Sequence, residues 1–81
     1  SNLFNHVGAT SLDLSNFDLS HLTNEDDILT YITKLTKITT PKVQPASGKS
    51  IALPGEYIDS ENNTYTVLDH DTPSSIVLTK K

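Results

Sequence analysis

Hydrophobic positions in the first half of the chain recur with a step of 25 to 26 residues. Leu3-Phe4 is echoed by Ile28-Leu29, Val7 by Ile32, and Ala9-Thr10-Ser11-Leu12 by Leu35-Thr36-Lys37-Ile38. Such a step, with leucines at short spacing, predicts a solenoid in which each turn covers the apolar edge of its neighbour. Ser11-Leu12-Asp13-Leu14-Ser15 alternates polar and apolar, the period of a half-buried strand. Lys37-Ile38-Thr39-Thr40 is its equivalent one turn later, and the constant step predicts that the two pair in parallel. Between them lies a polar loop anchored by Phe17, Leu19 and Leu22. An amphipathic helix is predicted over residues 25–34, with Ile28, Leu29, Ile32 and Leu35 on one face. Thr23 would cap it, Glu25-Asp26-Asp27 would sit at the positive end of its dipole, and Lys34 and Lys37 suit the negative end. Residues 1–6 read as the tail of an earlier helix.

Pro41 changes the pattern. Residues 41–50 hold two prolines and a glycine and read as a linker. Beyond them the chain predicts short β-strands over 49–53, 56–59, 64–68 and 75–79, with a turn at Pro54-Gly55 and a hairpin loop at residues 60–63. Tyr57 and Tyr65 would face each other across that hairpin. This half is expected to fold as a small antiparallel sheet, with no helix in residues 50–79, that caps the open end of the last repeat. The predicted organisation is thus a repeat segment at 1–40, a linker at 41–50 and a β cap at 51–81, packed as one unit in an α+β fold.

Composition narrows the function. The 81 residues bury only roughly 60% of their unfolded surface, so the core is thin. Thirty-five per cent of residues are hydrophobic and only five are aromatic, leaving Leu, Ile and Val to build the interior. Six lysines, no arginine and ten acids give a net charge of −4, which argues against nucleic acid as a partner. Cysteine is absent, so no disulfide or thiolate metal site is available. No apolar run approaches the length of a membrane span. The chain has no methionine and begins at Ser1, which predicts an excised or processed segment of a longer protein.

The reactive residues do not assemble into a reaction. Asp69-His70-Asp71 offers two carboxylates and an imidazole, but neighbours in an extended segment point to opposite sides, so a solvated turn is the better reading. No strained nucleophile turn accompanies the serines and histidines, and three glycines in a thin core leave little means of building a closed pocket. Asn62-Asn63-Thr64 meets the glycosylation sequon but reads as hairpin-turn chemistry, with no glycan expected. No catalytic residue, metal or cofactor is expected.

The run Leu12-Asp13-Leu14-Ser15-Asn16-Phe17-Asp18-Leu19-Ser20-His21-Leu22-Thr23-Asn24 resembles the repeat of the BspA-like leucine-rich surface proteins of host-associated bacteria. That repeat commonly reads LDLSNFDTS-x-VTNM, followed by a short helix ending in a methionine–phenylalanine pair. Here Leu19, Leu22 and Ile28-Leu29 stand at the substituted positions. The tail is similar to segments that follow such repeats, through Ile38-Thr39-Thr40-Pro41, Leu53-Pro54-Gly55-Glu56-Tyr57, Tyr65-Thr66-Val67-Leu68 and Ser75-Ile76-Val77-Leu78-Thr79-Lys80. The resemblance implies a leucine-rich repeat fold, a cell-surface or secreted parent protein, and a role in adhesion to host or microbial proteins or glycans.

In such a fold the strand residues between buried leucines line the concave face. Ser11, Asp13 and Ser15 from one turn, with Lys37 and Thr39 from the next, are therefore the candidate partner-binding residues. The competing reading is an ordinary solvated strand face on a purely structural cap that shields the solenoid's end. If earlier repeats are missing, Leu3, Phe4, Val7 and Leu12 have lost their cover, which predicts weak self-association through the N-terminal face.

Overall fold

A computed structural model describes residues 8–22 and 29–81. Five strands form one mixed sheet: β1 (Ser11–Asp13), β2 (Lys37–Thr39), β3 (Ser50–Ile58), β4 (Thr64–Asp69) and β5 (Val77–Lys80). Their order across the sheet is β1-β2-β5-β3-β4. β1 and β2 are parallel, in the register Ser11 to Lys37, Leu12 to Ile38 and Asp13 to Thr39, as the 26-residue offset requires. All other pairings are antiparallel.

This is a small all-β domain, and the expected α+β fold of solenoid turns followed by an antiparallel cap is overturned. In a stack of repeats β2 would be followed by another parallel strand. Its second neighbour is instead the antiparallel β5, with Ile38 opposite Leu78 and Thr39 opposite Val77. The alternation of Val77-Leu78-Thr79 explains the fit, because it sets Leu78 beside Ile38 and Leu12 in one buried row across three strands. β5 also pairs with β3, through Tyr57–Lys80 and Ile58–Thr79, so both halves of the chain share one sheet.

The helix expected at residues 25–34 is corrected as well. Its first part lies outside the described residues, as do the expectations for residues 1–7. Residues 29–35 form successive tight turns, and no helix occurs among the described residues. The Ile32 N–H donates to the Leu29 carbonyl at 3.0 Å and the Leu35 N–H to that of Ile32 at 3.1 Å, each spanning three residues rather than four. Leu29, Ile32 and Leu35 are all buried, as the pattern required. A strict spacing of three matches three-residue turns better than a 3.6-residue helix. Three β-branched threonines, Thr30, Thr33 and Thr36, weaken the helical alternative.

In the second half the hairpin at residues 60–63 joins β3 to β4, and Tyr57 pairs directly with Tyr65. Pro54-Gly55 is not a turn: β3 runs through it, with an irregular register between Ala52 and Tyr57. The Lys80 side chain passes over Gly55, where a Cβ would meet its flexible Nζ end at 2.6 Å. The lysine lies over the Tyr57 ring, with its ammonium 5.6 Å from the ring centre.

The core is aliphatic except for Tyr57, which is fully buried and donates its hydroxyl to the Leu35 carbonyl at 2.6 Å. Phe17, expected as an anchor, lies at the surface, whereas Leu19 is buried. The stretch read as a linker packs closely: Pro41, Gln44 and Pro45 are buried, and the Gln44 amide donates to the Pro41 carbonyl at 2.9 Å. Tyr57→Phe should cost about 1–3 kcal/mol, because it strands a buried carbonyl without creating a large cavity. Urea unfolding of this variant measures the loss, and wild-type stability would mean that the Leu35 carbonyl has another partner.

Candidate functional site

The five candidate residues fall on neighbouring strands or, for Ser15, just beyond β1. Ser11 and Asp13 flank the buried Leu12, and Lys37 and Thr39 flank the buried Ile38, so these four share the face opposite the core. Ser11, Asp13 and Lys37 are exposed, while Ser15 and Thr39 are half-buried. Lys37 stands directly beside Ser11, and Thr39 beside Asp13.

Asp13 has a structural task. Its Oδ1 accepts the Ser15 N–H at 2.9 Å, closing a turn at the end of β1. The Asp18-Leu19-Ser20 run repeats the device, with the Ser20 N–H at 2.9 Å and its hydroxyl at 2.6 Å from Asp18 Oδ1. Hydrogen bonds from the Ser15 side chain and backbone hold the Asp13 carboxyl below its ordinary pKa, and Lys37 adds electrostatic support. The face therefore presents a carboxylate and an ammonium on a firm backbone, with two strand hydroxyls between them.

The sheet extends this face where sequence reasoning did not look. Register places Val77 beside Thr39 and Thr79 beside Lys37. Val77 is 47% exposed, a large apolar side chain next to the polar strip. Beside it opens a shallow hollow of about 430 Å³ lined by Asp59, Ser60, Glu61, Pro73, Ile76 and Val77. The alternation of residues 75–79 marks a strand, but nothing local in the sequence identifies β2 as its neighbour.

Asp59 organises the loop at one wall of that hollow. It accepts the N–H groups of Glu61 at 2.8 Å and Asn63 at 3.0 Å, the Asn63 side-chain amide at 3.1 Å and the Tyr65 hydroxyl at 2.8 Å. Partial burial opposes ionisation, but these hydrogen bonds outweigh it and hold the pKa at about 2. The same bond raises the Tyr65 phenol. Asn62 completes the loop in the left-handed region at φ 67°, which asparagine tolerates well.

Asp69 is the last residue of β4, and His70 and Asp71 lie in the turn that follows it. Asp69 Oδ1 accepts the Asp71 N–H at 3.0 Å and the Thr72 hydroxyl at 3.3 Å. Among the described residues no three His, Asp or Glu side chains converge as metal ligands. Glu25-Asp26-Asp27 lies outside the described residues. Compared with protein-family models, with curated proteins and with solved structures, the chain matches none.

The Asp59 hydrogen bonds set a pH dependence. Its folded pKa of about 2 lies below the ordinary 3.8, so its contribution is complete above that value and disappears as pH falls towards 2. Urea midpoints measured down this range should drop for the natural chain and drop less steeply for Asp59→Asn. Equal slopes for the two proteins would show that other carboxylates control acid unfolding.

Proposed function

We propose that this chain is a non-catalytic binding segment of a bacterial cell-surface or secreted protein, acting in adhesion to a host or microbial protein or glycan. The observation that supports this most is the joint display of Ser11, Asp13, Lys37 and Thr39 on the outer face of two adjacent strands. A carboxylate, an ammonium and hydroxyls at strand spacing offer both donors and acceptors, as a polar protein surface or a sugar requires. Val77 adds an apolar contact at the edge of the strip. The resemblance of residues 12–24 to the repeats of bacterial surface proteins is the ground on which the surface location and the adhesive role are proposed.

The test is retention of the labelled chain on immobilised mucin glycoprotein and on intact epithelial cells. Lys37→Glu reverses the only cation of the strip without touching the core, so retention should fall several-fold while the unfolding curve stays unchanged. The salt dependence of the residual binding should also weaken. Undiminished retention by Lys37→Glu, or no retention of the natural chain on either surface, would leave this face a purely structural one.

A further inference from the structure

The sheet ends on β4, a six-residue strand bonded to β3 on one side only. Among the described residues no segment pairs with its other side, so alternate N–H and C=O groups point away from the sheet. Natural edges are usually blunted by lysine, proline or a bulge in the edge strand itself. Thr64-Tyr65-Thr66-Val67-Leu68-Asp69 has neither lysine nor proline and is rich in strand-forming side chains. The extra residues of the irregular register fall in β3: Ala52 and Tyr57 face Val67 and Tyr65, respectively. No bulge therefore interrupts β4, and only at its last residue, Asp69, are the N–H and carbonyl taken, by the Thr72 hydroxyl and N–H.

A shallow hollow of about 260 Å³ runs along it, lined by β4 residues with Asp71 and Thr72, and by none from β3. Asp69 and Asp71 line it at the end of the strand, while Asp59 and Glu61 precede β4 in the chain and line the hollow beside Val77 instead. Lys49 and His70 are the nearby basic groups, lining a separate hollow with Asp69 and Asp71. A parallel second copy would set Asp69 and Asp71 against the partner's own pair, whereas a cationic segment is attracted to them.

We infer that the free edge of β4 accepts an extended, lysine- or arginine-bearing segment of another protein as an added strand. Main-chain hydrogen bonds supply affinity, and the carboxylates of Asp69 and Asp71 select the charge and register of the segment. This surface is distinct from the β1–β2 face, at the opposite end of the sheet.

The isotope-labelled full chain, titrated with a short peptide alternating lysine and threonine, tests this by amide chemical shifts and exchange rates. Shifts and slowed exchange should centre on residues 64–69, and a glutamate–threonine peptide of equal length should leave them unchanged. Asp71→Lys, at an exposed site whose backbone bond to Asp69 survives the substitution, should weaken the lysine peptide about fivefold, as one exposed ion pair allows. The inference is overturned by absent binding, by shifts centred on β1 and β2, by equal response to both peptides, or by unchanged affinity in Asp71→Lys. Concentration-dependent protection of β4 without peptide would likewise overturn it, because the edge would then be taken by a second copy.

Discussion

The pairing of β5 on both its sides is the interaction on which the rest of the domain depends. Without Val77–Lys80 the chain would be a parallel pair at one end and a hairpin at the other, with no shared sheet. Neither piece is large enough to be stable alone, since two-stranded units are marginal in water. β5 draws Leu78 between Ile38 and the core of the hairpin, and its backbone continues the ladder in both directions. Thr40 and Tyr57 reinforce the join from either side. The Thr40 hydroxyl bonds both Pro73 and Ile76 just before β5, while Tyr57 reaches back to Leu35 just before β2.

The loops are ordered by a second device used repeatedly. Asp13, Asp18, Asp59 and Asp69 each accept a backbone N–H two residues on. Each such turn fixes a polar segment without apolar burial, which suits a chain whose core is thin. It also means that the surface strip and the hollow near Val77 are held in place before any partner arrives. Ordering costs that a flexible loop would incur on binding are correspondingly reduced. Several acids are thus committed to architecture, leaving Glu61 as the more available negative group in the hollow beside Val77 and Asp71 as that beside β4.

Local signals made parts of this fold legible in the sequence. The 26-residue offset between Ser11-Leu12 and Lys37-Ile38 is a real parallel pairing, and the alternation around residues 60–63 is a real hairpin. The solenoid inferred from the same offset is not, because repetition establishes one pairing and says nothing of what lies on the other side of β2. Leu29, Ile32 and Leu35 were legible as buried but not as turns, since a spacing of three fits both a helix face and a run of three-residue turns. Pro54-Gly55 reads as a turn by composition, yet it lies within β3, in the stretch of shifted register between Ala52 and Tyr57. The four strand residues on the candidate face were legible through alternation alone. Val77 was not, because its place depends on a contact between residues 39 and 77 that no local pattern encodes.

The central claim is that β5 makes the two halves one cooperative unit. Native-state hydrogen exchange of the natural chain and Thr40→Val tests it most directly. The substitution preserves volume but removes the hydroxyl that donates to the Pro73 carbonyl at 2.7 Å and accepts the Ile76 N–H at 2.9 Å. A loss of about 1–3 kcal/mol is expected from the groups left unpaired. If the halves unfold together, the slowest amides of β2 and β4 share one opening free energy, and both fall by that amount in the variant. Loss of protection in β2 alone, with β4 unchanged, would show two independent halves and contradict the account.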